Sequence, residues 1–139
     1  SRQIILKDIG PLGQKKIKQA KVLVVGAGGL GCPVTEFLVR AGIGNIGIVD
    51  NDIVNISNIH RQSLYDISDL KKIKVHAAKK KLKKINSETK VNCYKIRLDK
   101  KNFIKILLLR MNNKILAASA RILSGTRLCV MAKVGARYP

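Results

Sequence analysis

The chain has 139 residues, 46% of them hydrophobic, which suits a single domain around one apolar core. A formal charge of +20 makes a polyanionic partner the first alternative to weigh, yet aromatic residues are only 4% and do not interleave with the basic run, which argues against a base-stacking surface. No stretch reaches the roughly 18 to 20 apolar residues of a membrane span and no signal peptide opens the sequence, so a cytoplasmic protein with no membrane partner is expected.

In chain order, residues 1–7 read as a short arm and residues 15–20 as a helix, with Gly10-Pro11 and Gly13 as breaks between them. Residues 21–25 read as a strand, apolar throughout after Lys21 and suited to burial on both faces. That strand enters a turn of the G-x-G-x-x-G type, Gly26-Ala27-Gly28-Gly29-Leu30-Gly31. Here Gly26 permits a tight turn, Gly28 lets a phosphate approach the backbone, and Gly31 lets the next helix pack closely on the strand. The phosphate would sit at a helix N-terminus, where free N–H groups and the helix dipole favour an anion.

A helix is expected over 30–41, with Leu30, Val34, Phe37, Leu38 and Ala41 as its apolar side and Gly42 as its stop. Residues 46–49 form a second strand closed by Asp50, about twenty residues after the glycine turn, where this arrangement places a carboxylate for ribose hydroxyls. Strand, turn, helix, strand and acid together make a mononucleotide-binding half.

Residues 51–68 are irregular and polar, and Ser68 or Asp69 is placed to cap the basic helix that follows. Residues 1–60 carry seven basic and four acidic side chains (+3), whereas residues 61–139 carry twenty-one and four (+17). Much of that excess lies at 71–84, where Leu70, Ile73, Ala77, Ala78, Leu82 and Ile85 mark an apolar stripe and the lysines cover the rest as a solvated face. His60 and His76 have no partner at ligand spacing and read as surface histidines, Cys32 and Cys93 read as small core residues, and no metal site is predicted.

A third strand is expected over 91–98, with Asp99 starting a helix through about Arg110. Beyond it the composition changes: residues 115–139 hold one lysine, three arginines and five alanines, and no acid follows Asp99. Residues 1–110 are therefore read as the nucleotide-binding domain and 111–139 as an atypical, non-native tail left by truncation, frameshift or appended sequence. A genuine C-terminal strand and helix is the alternative.

Four motifs in order carry a resemblance to the ThiF/MoeB/HesA superfamily related to ubiquitin-activating enzymes, over Ser1 to about Leu108. They are Ser-Arg-Gln-Ile-Ile-Leu at 1–6, Val-Gly-Ala-Gly-Gly-Leu-Gly-Cys at 25–32, Asp-Asn-Asp-Ile-Val-Asn-Ile-Ser-Asn-Ile-His-Arg-Gln at 50–62, and Lys74 entering the long helix. The resemblance implies an incomplete α/β, Rossmann-like fold with a mostly parallel sheet and flanking helices. It also implies an ATP-dependent adenylyltransferase that activates the C-terminal carboxylate of a ubiquitin-like sulfur-carrier protein, of the kind used in thiamine or molybdopterin synthesis. Gly26, Gly28, Gly29 and Gly31 would line the ATP site and Asp50 would bind the ribose. Asn58, Arg61 and Gln62 would orient the triphosphate and the carboxylate, Lys74 would neutralise charge growing on the phosphates, and Asp52 would be a minor polar contact. Arg2 would be supplied across a homodimer interface.

The chain departs from the pattern in two places. The Asp-x-Thr-Asp-Asn-type motif that holds Mg²⁺ in the family is missing, echoed only by Ser124-Gly125-Thr126-Arg127, and the CxxC pairs that bind Zn²⁺ are absent. Weak or no activity is therefore expected of the piece itself. Two readings compete with this one: an NAD-dependent oxidoreductase sharing the glycine turn, and a basic nucleic-acid or partner-binding module built on the lysine helix.

Overall fold

The computed structural model describes residues 2–99, 102 and 129–133. Three parallel strands, β1 (Lys21–Val25), β2 (Asn45–Val49) and β3 (Lys90–Tyr94), are joined by β4 (Cys129–Lys133), antiparallel to β1, in the order β3-β2-β1-β4. The helices are α1 (Gly10–Gln19), α2 (Gly31–Arg40) and α3 (Lys74–Ile85), with 3₁₀ turns at Arg2–Ile5, Ile56–Asn58 and Ile67–Asp69. Two strand–helix–strand crossovers thus build the parallel core, as the alternating pattern of the sequence requires.

Alternation along β1 explains why the four residues after the exposed Lys21, Val22 to Val25, are apolar without a break. Val22 and Val24, with Ile46, Ile48 and Val91, meet Cys32 and Val39 of α2 and Val75, Ala78 and Leu82 of α3. On the opposite face, Leu23 and Val49 meet Val25, Tyr94, Ile96 and Leu98. A strand covered on both sides has no use for a polar residue.

Four expectations need correction. Gly10, Pro11 and Gly13 do not break the first helix but belong to it: proline in the first turn lacks only an N–H that would have no partner there, and Gly13 packs directly on Ile9. The buried side of α2 is Gly31, Cys32, Thr35 and Val39, while Leu30 and Phe37 are exposed, so the apolar stripe read from the sequence is rotated from the true core face. Neither Ser68 nor Asp69 caps the lysine helix. Asp66 caps the intervening 3₁₀ turn by accepting from the Ser68 N–H at 2.8 Å, and α3 starts only at Lys74, after Ile73, with no side-chain cap. Finally, β3 ends at Tyr94, four residues early, and the alternation continuing to Leu98 reflects packing against the second face.

The remaining boundaries hold. Gly42 ends α2 with φ of +90°, a conformation that favours glycine, and the α3 stripe is buried or half-buried as expected. Asp99 and Asn102 exchange backbone-to-side-chain hydrogen bonds of 2.9 and 2.8 Å, which suits a helix start. The expected helix beyond that point and Ser124-Gly125-Thr126-Arg127 lie outside the described residues, as does all of 111–139 except the β4 backbone. Among the described residues no helix is long and apolar enough to cross a membrane.

Candidate functional site

The site begins where β1 ends. Gly26 has φ of +95°, so the turn needs glycine there, and its N–H donates to the Val49 carbonyl at 2.8 Å. The next N–H, of Ala27, donates to Asp50 Oδ2 at 2.7 Å, and Asp50 Oδ1 accepts from the Asp52 N–H at 2.8 Å. The Ala27 carbonyl accepts from the buried Tyr65 hydroxyl at 3.0 Å and from Cys32 Sγ at 3.4 Å. Burial pushes both the Tyr65 and the Cys32 pKa up, so both remain protonated donors. The N–H groups of Gly28 and Gly29 find no acceptor among the described residues. They precede the first turn of α2, whose dipole favours an anion.

Facing this loop is the segment that the sequence marks as polar and irregular. Asn55 and Asn58 cap each other around the 3₁₀ turn, which leaves the Asn58 amide N–H groups free to donate. Arg61 lays its aliphatic stem within 3.6 Å of where a side chain on Gly29 would stand, and donates from Nη1 to the Ser57 carbonyl at 2.7 Å. Gln62 is buried beside Gly28, and its Oε1 has no partner among the described residues; rotation of the amide can present either a donor or an acceptor to a ligand.

Lys74, at the start of α3, is only 5% exposed, and its Nζ lies 3.3 Å from Asp52 Oδ2. Its N–H also donates to the Asp52 carbonyl at 3.0 Å, so Asp52 meets Lys74 through both backbone and carboxylate.

These groups surround one cleft of about 1150 Å³, roomy enough for a nucleotide. Every nucleotide-binding residue named from the sequence lines it: Gly26, Gly28, Gly29, Gly31, Asp50, Asp52, Asn58, Arg61, Gln62 and Lys74. Arg2 opens the first 3₁₀ turn, and its side chain lies outside the description. His60 and His76 are exposed, and among the described residues no group of three His, Cys, Asp or Glu could hold a metal ion.

Sequence reasoning missed Arg97 and the apolar wall of Ile53, Ile96 and Leu98, which also line the cleft, and Tyr65 behind the glycine loop. A lone tyrosine in a polar stretch has no periodic signal, and Ile96 to Leu98 were absorbed into an overlong strand.

Comparison with known proteins shows the family. The ThiF family matches residues 1–123. A sulfur carrier protein adenylyltransferase of Thermus thermophilus is 47% identical over 106 residues, covering 76% of this chain and 39% of that protein. An adenylyltransferase and sulfurtransferase MOCS3 of Culex quinquefasciatus is 49% identical over 107 residues, covering 77% of this chain and 24% of that protein. The chain therefore spans well under half the length of these relatives. Among solved structures, Escherichia coli MccB with ATP superposes with a TM-score of 0.65 at 37% identity, covering 67% of this chain and 28% of that one. The E. coli tRNA N6-threonylcarbamoyladenosine dehydratase TcdA, in complex with AMP, gives 0.67 at 27% identity, covering 69% and 40%. With the glycine loop, the Asn-Arg-Gln segment and the buried lysine assembled on one cleft, and with a family match over most of its length, the chain belongs to the ThiF family.

Proposed function

We propose that this chain is the ATP-binding part of an adenylyltransferase that activates the C-terminal carboxylate of a ubiquitin-like sulfur-carrier protein. The observation that carries the reading is the cleft itself: two loop N–H groups without an acceptor among the described residues, Arg61 and the buried Lys74 all line it, a set of donors made for phosphate oxygens. The unpartnered Oε1 of buried Gln62 also fits a ligand in this place. An NAD-dependent oxidoreductase would need the glycine loop but gives Lys74 and Arg61 no task.

In the reaction, a carboxylate oxygen of the carrier bonds to the α-phosphorus of ATP as the bond to pyrophosphate breaks, leaving an acyl adenylate. Gly28 and Gly29 would hold phosphate oxygens through their N–H groups, and Asp50, each of whose oxygens has already accepted one N–H, would use its remaining lone pairs for the ribose. Arg61 would grip phosphate with the guanidinium N–H groups that Ser57 does not use, while Asn58 and Gln62 position the incoming carboxylate. Lys74 would leave Asp52 for the phosphates and offset the charge that grows on them.

Among the described residues, Asp50 and Asp52 are the two acids on the cleft wall, and both are already engaged, so this lining suits magnesium carried on the triphosphate rather than a resident ion. The cysteines at 32, 93 and 129 do not fit a four-ligand zinc site.

The exposed Ile5, Leu6 and Leu12, in the same N-terminal part of the chain as Arg2, and Phe37 on α2 support a homodimer through which Arg2 reaches the partner's ATP. A cytoplasmic setting agrees with the need for ATP. Exchange of labelled pyrophosphate into ATP, dependent on the carrier protein, tests the proposal in the intact protein. Its absence, with NAD bound instead, would overturn it.

A further inference from the structure

A glycine-rich loop has a weakness that follows from its use. Glycine lets a phosphate come close to the backbone, but it also lets a peptide unit rotate at little cost, so nothing in the loop's own sequence fixes which way the Ala27–Gly28 peptide points. In a trans peptide the carbonyl and the next N–H point to opposite sides. Holding the Ala27 carbonyl inward therefore aims the Gly28 N–H outward, and Gly28 lines the cleft.

The structure supplies such a hold from outside the loop. Tyr65, 4% exposed, spends its hydroxyl on the Ala27 carbonyl, 38 residues away in the chain, with the Cys32 thiol as a second and weaker donor to the same oxygen. On its other side, the Ala27 N–H is taken by Asp50 Oδ2. Ala27 itself is buried, and the next two N–H groups find no acceptor among the described residues. A reversed peptide would bury the Gly28 N–H, leave Tyr65 unpartnered and turn a carbonyl oxygen toward the phosphate.

We propose that Tyr65 is a positioning residue whose hydroxyl, assisted by Cys32, presets the Ala27–Gly28 peptide so that the Gly28 N–H meets a phosphate oxygen. The role rests on the cleft being an ATP site. It singles out the phosphate part of the ligand and leaves the nucleoside part untouched.

That division gives the test. Calorimetric titration of the wild type and of Tyr65→Phe with ATP and with adenosine compares two ligands that differ only in the triphosphate. The expected result is a Kd for ATP raised about threefold to tenfold, the scale of one hydrogen bond, with adenosine affinity unchanged within a factor of about two. Cys32→Ala should show the same selective loss to a smaller degree, and it carries the test if Tyr65→Phe does not fold. Equal losses for ATP and adenosine, as a merely structural tyrosine would give, overturn the proposal, and so does an unchanged ATP affinity. A wild type that binds neither ligand overturns the nucleotide reading as well, whereas a wild type that binds ATP alongside an indifferent Tyr65→Phe overturns the clamp alone.

Discussion

Lys74 shows how much a single side chain can be asked to do. Its ammonium is nearly inaccessible, yet the carboxylate opposite, on Asp52, is 61% exposed at the side chain, so the pair has a fixed half and a movable half. A lysine held that way can be transferred to a phosphate without first being stripped of water. Lys74→Met keeps the aliphatic stem and removes the charge, and should lower pyrophosphate exchange about a hundredfold or more at saturating ATP, the scale on which a lost transition-state contact acts. A loss confined to KM would instead assign Lys74 to ground-state binding. Glu36 allows a different prediction. The Arg40 hydrogen bond, with help from Ser63, holds its carboxyl below the ordinary value, so the pair stabilises the fold above the unfolded-state pKa and loses that contribution as pH falls through the lower folded-state value. Partial exposure limits the effect to about 0.5 kcal/mol. Acid denaturation monitored by circular dichroism should accordingly show Glu36→Gln less stable than wild type at neutral pH, with the difference fading below about pH 4.

At the level of elements, legibility followed the physics of each signal. The β1 boundaries and the glycine turn could be read because a strand covered on both faces and a left-handed turn each demand particular residue types. The core face of α2 could not: Thr35 is buried while Phe37 is exposed, which a periodicity of apolar residues is bound to misread. The ten cleft residues were found because the motif names them, whereas Tyr65 acts through one carbonyl and leaves no pattern. The joint between α1 and α2 was equally invisible. Gln14 Nε2 donates to the Ala41 carbonyl at 3.1 Å, and Gly44 passes so close to α1 that a Cβ there would lie 1.7 Å from the Lys18 carbonyl oxygen. Backbone on both sides leaves nothing flexible to give way. Gly44→Ala should destabilise the fold by about 2 to 3 kcal/mol, seen as a lowered thermal midpoint, while Gly28→Ala, whose Cβ would meet nothing nearer than 4.0 Å, should leave that midpoint almost unchanged.

On the scale of the whole molecule, the charge of +20 is not gathered at the cleft. Lys79, Lys80, Lys81, Lys83 and Lys84 are exposed on α3, whose buried side faces the sheet, so the charge there is a property of the solvated face. Beyond Lys74, Arg61 and Arg97 of the cleft itself, the proposed site calls on Arg2, which the proposed dimer would bring from a second copy. Complementation can decide this, because a residue acting across an interface can be supplied by a subunit that is itself inactive. Arg2→Ala and Lys74→Met should each lower pyrophosphate exchange about a hundredfold or more in the intact protein. Mixed after dissociation and reassociation, the two should form heterodimers in which the Arg2→Ala subunit keeps Lys74 and receives Arg2 from its partner. Random pairing makes half of the dimers heterodimers with one of two sites complete, so activity should return to about a quarter of the wild-type level. If Arg2 acts within its own subunit, every site in the mixture lacks one residue and activity stays at the level of the single variants.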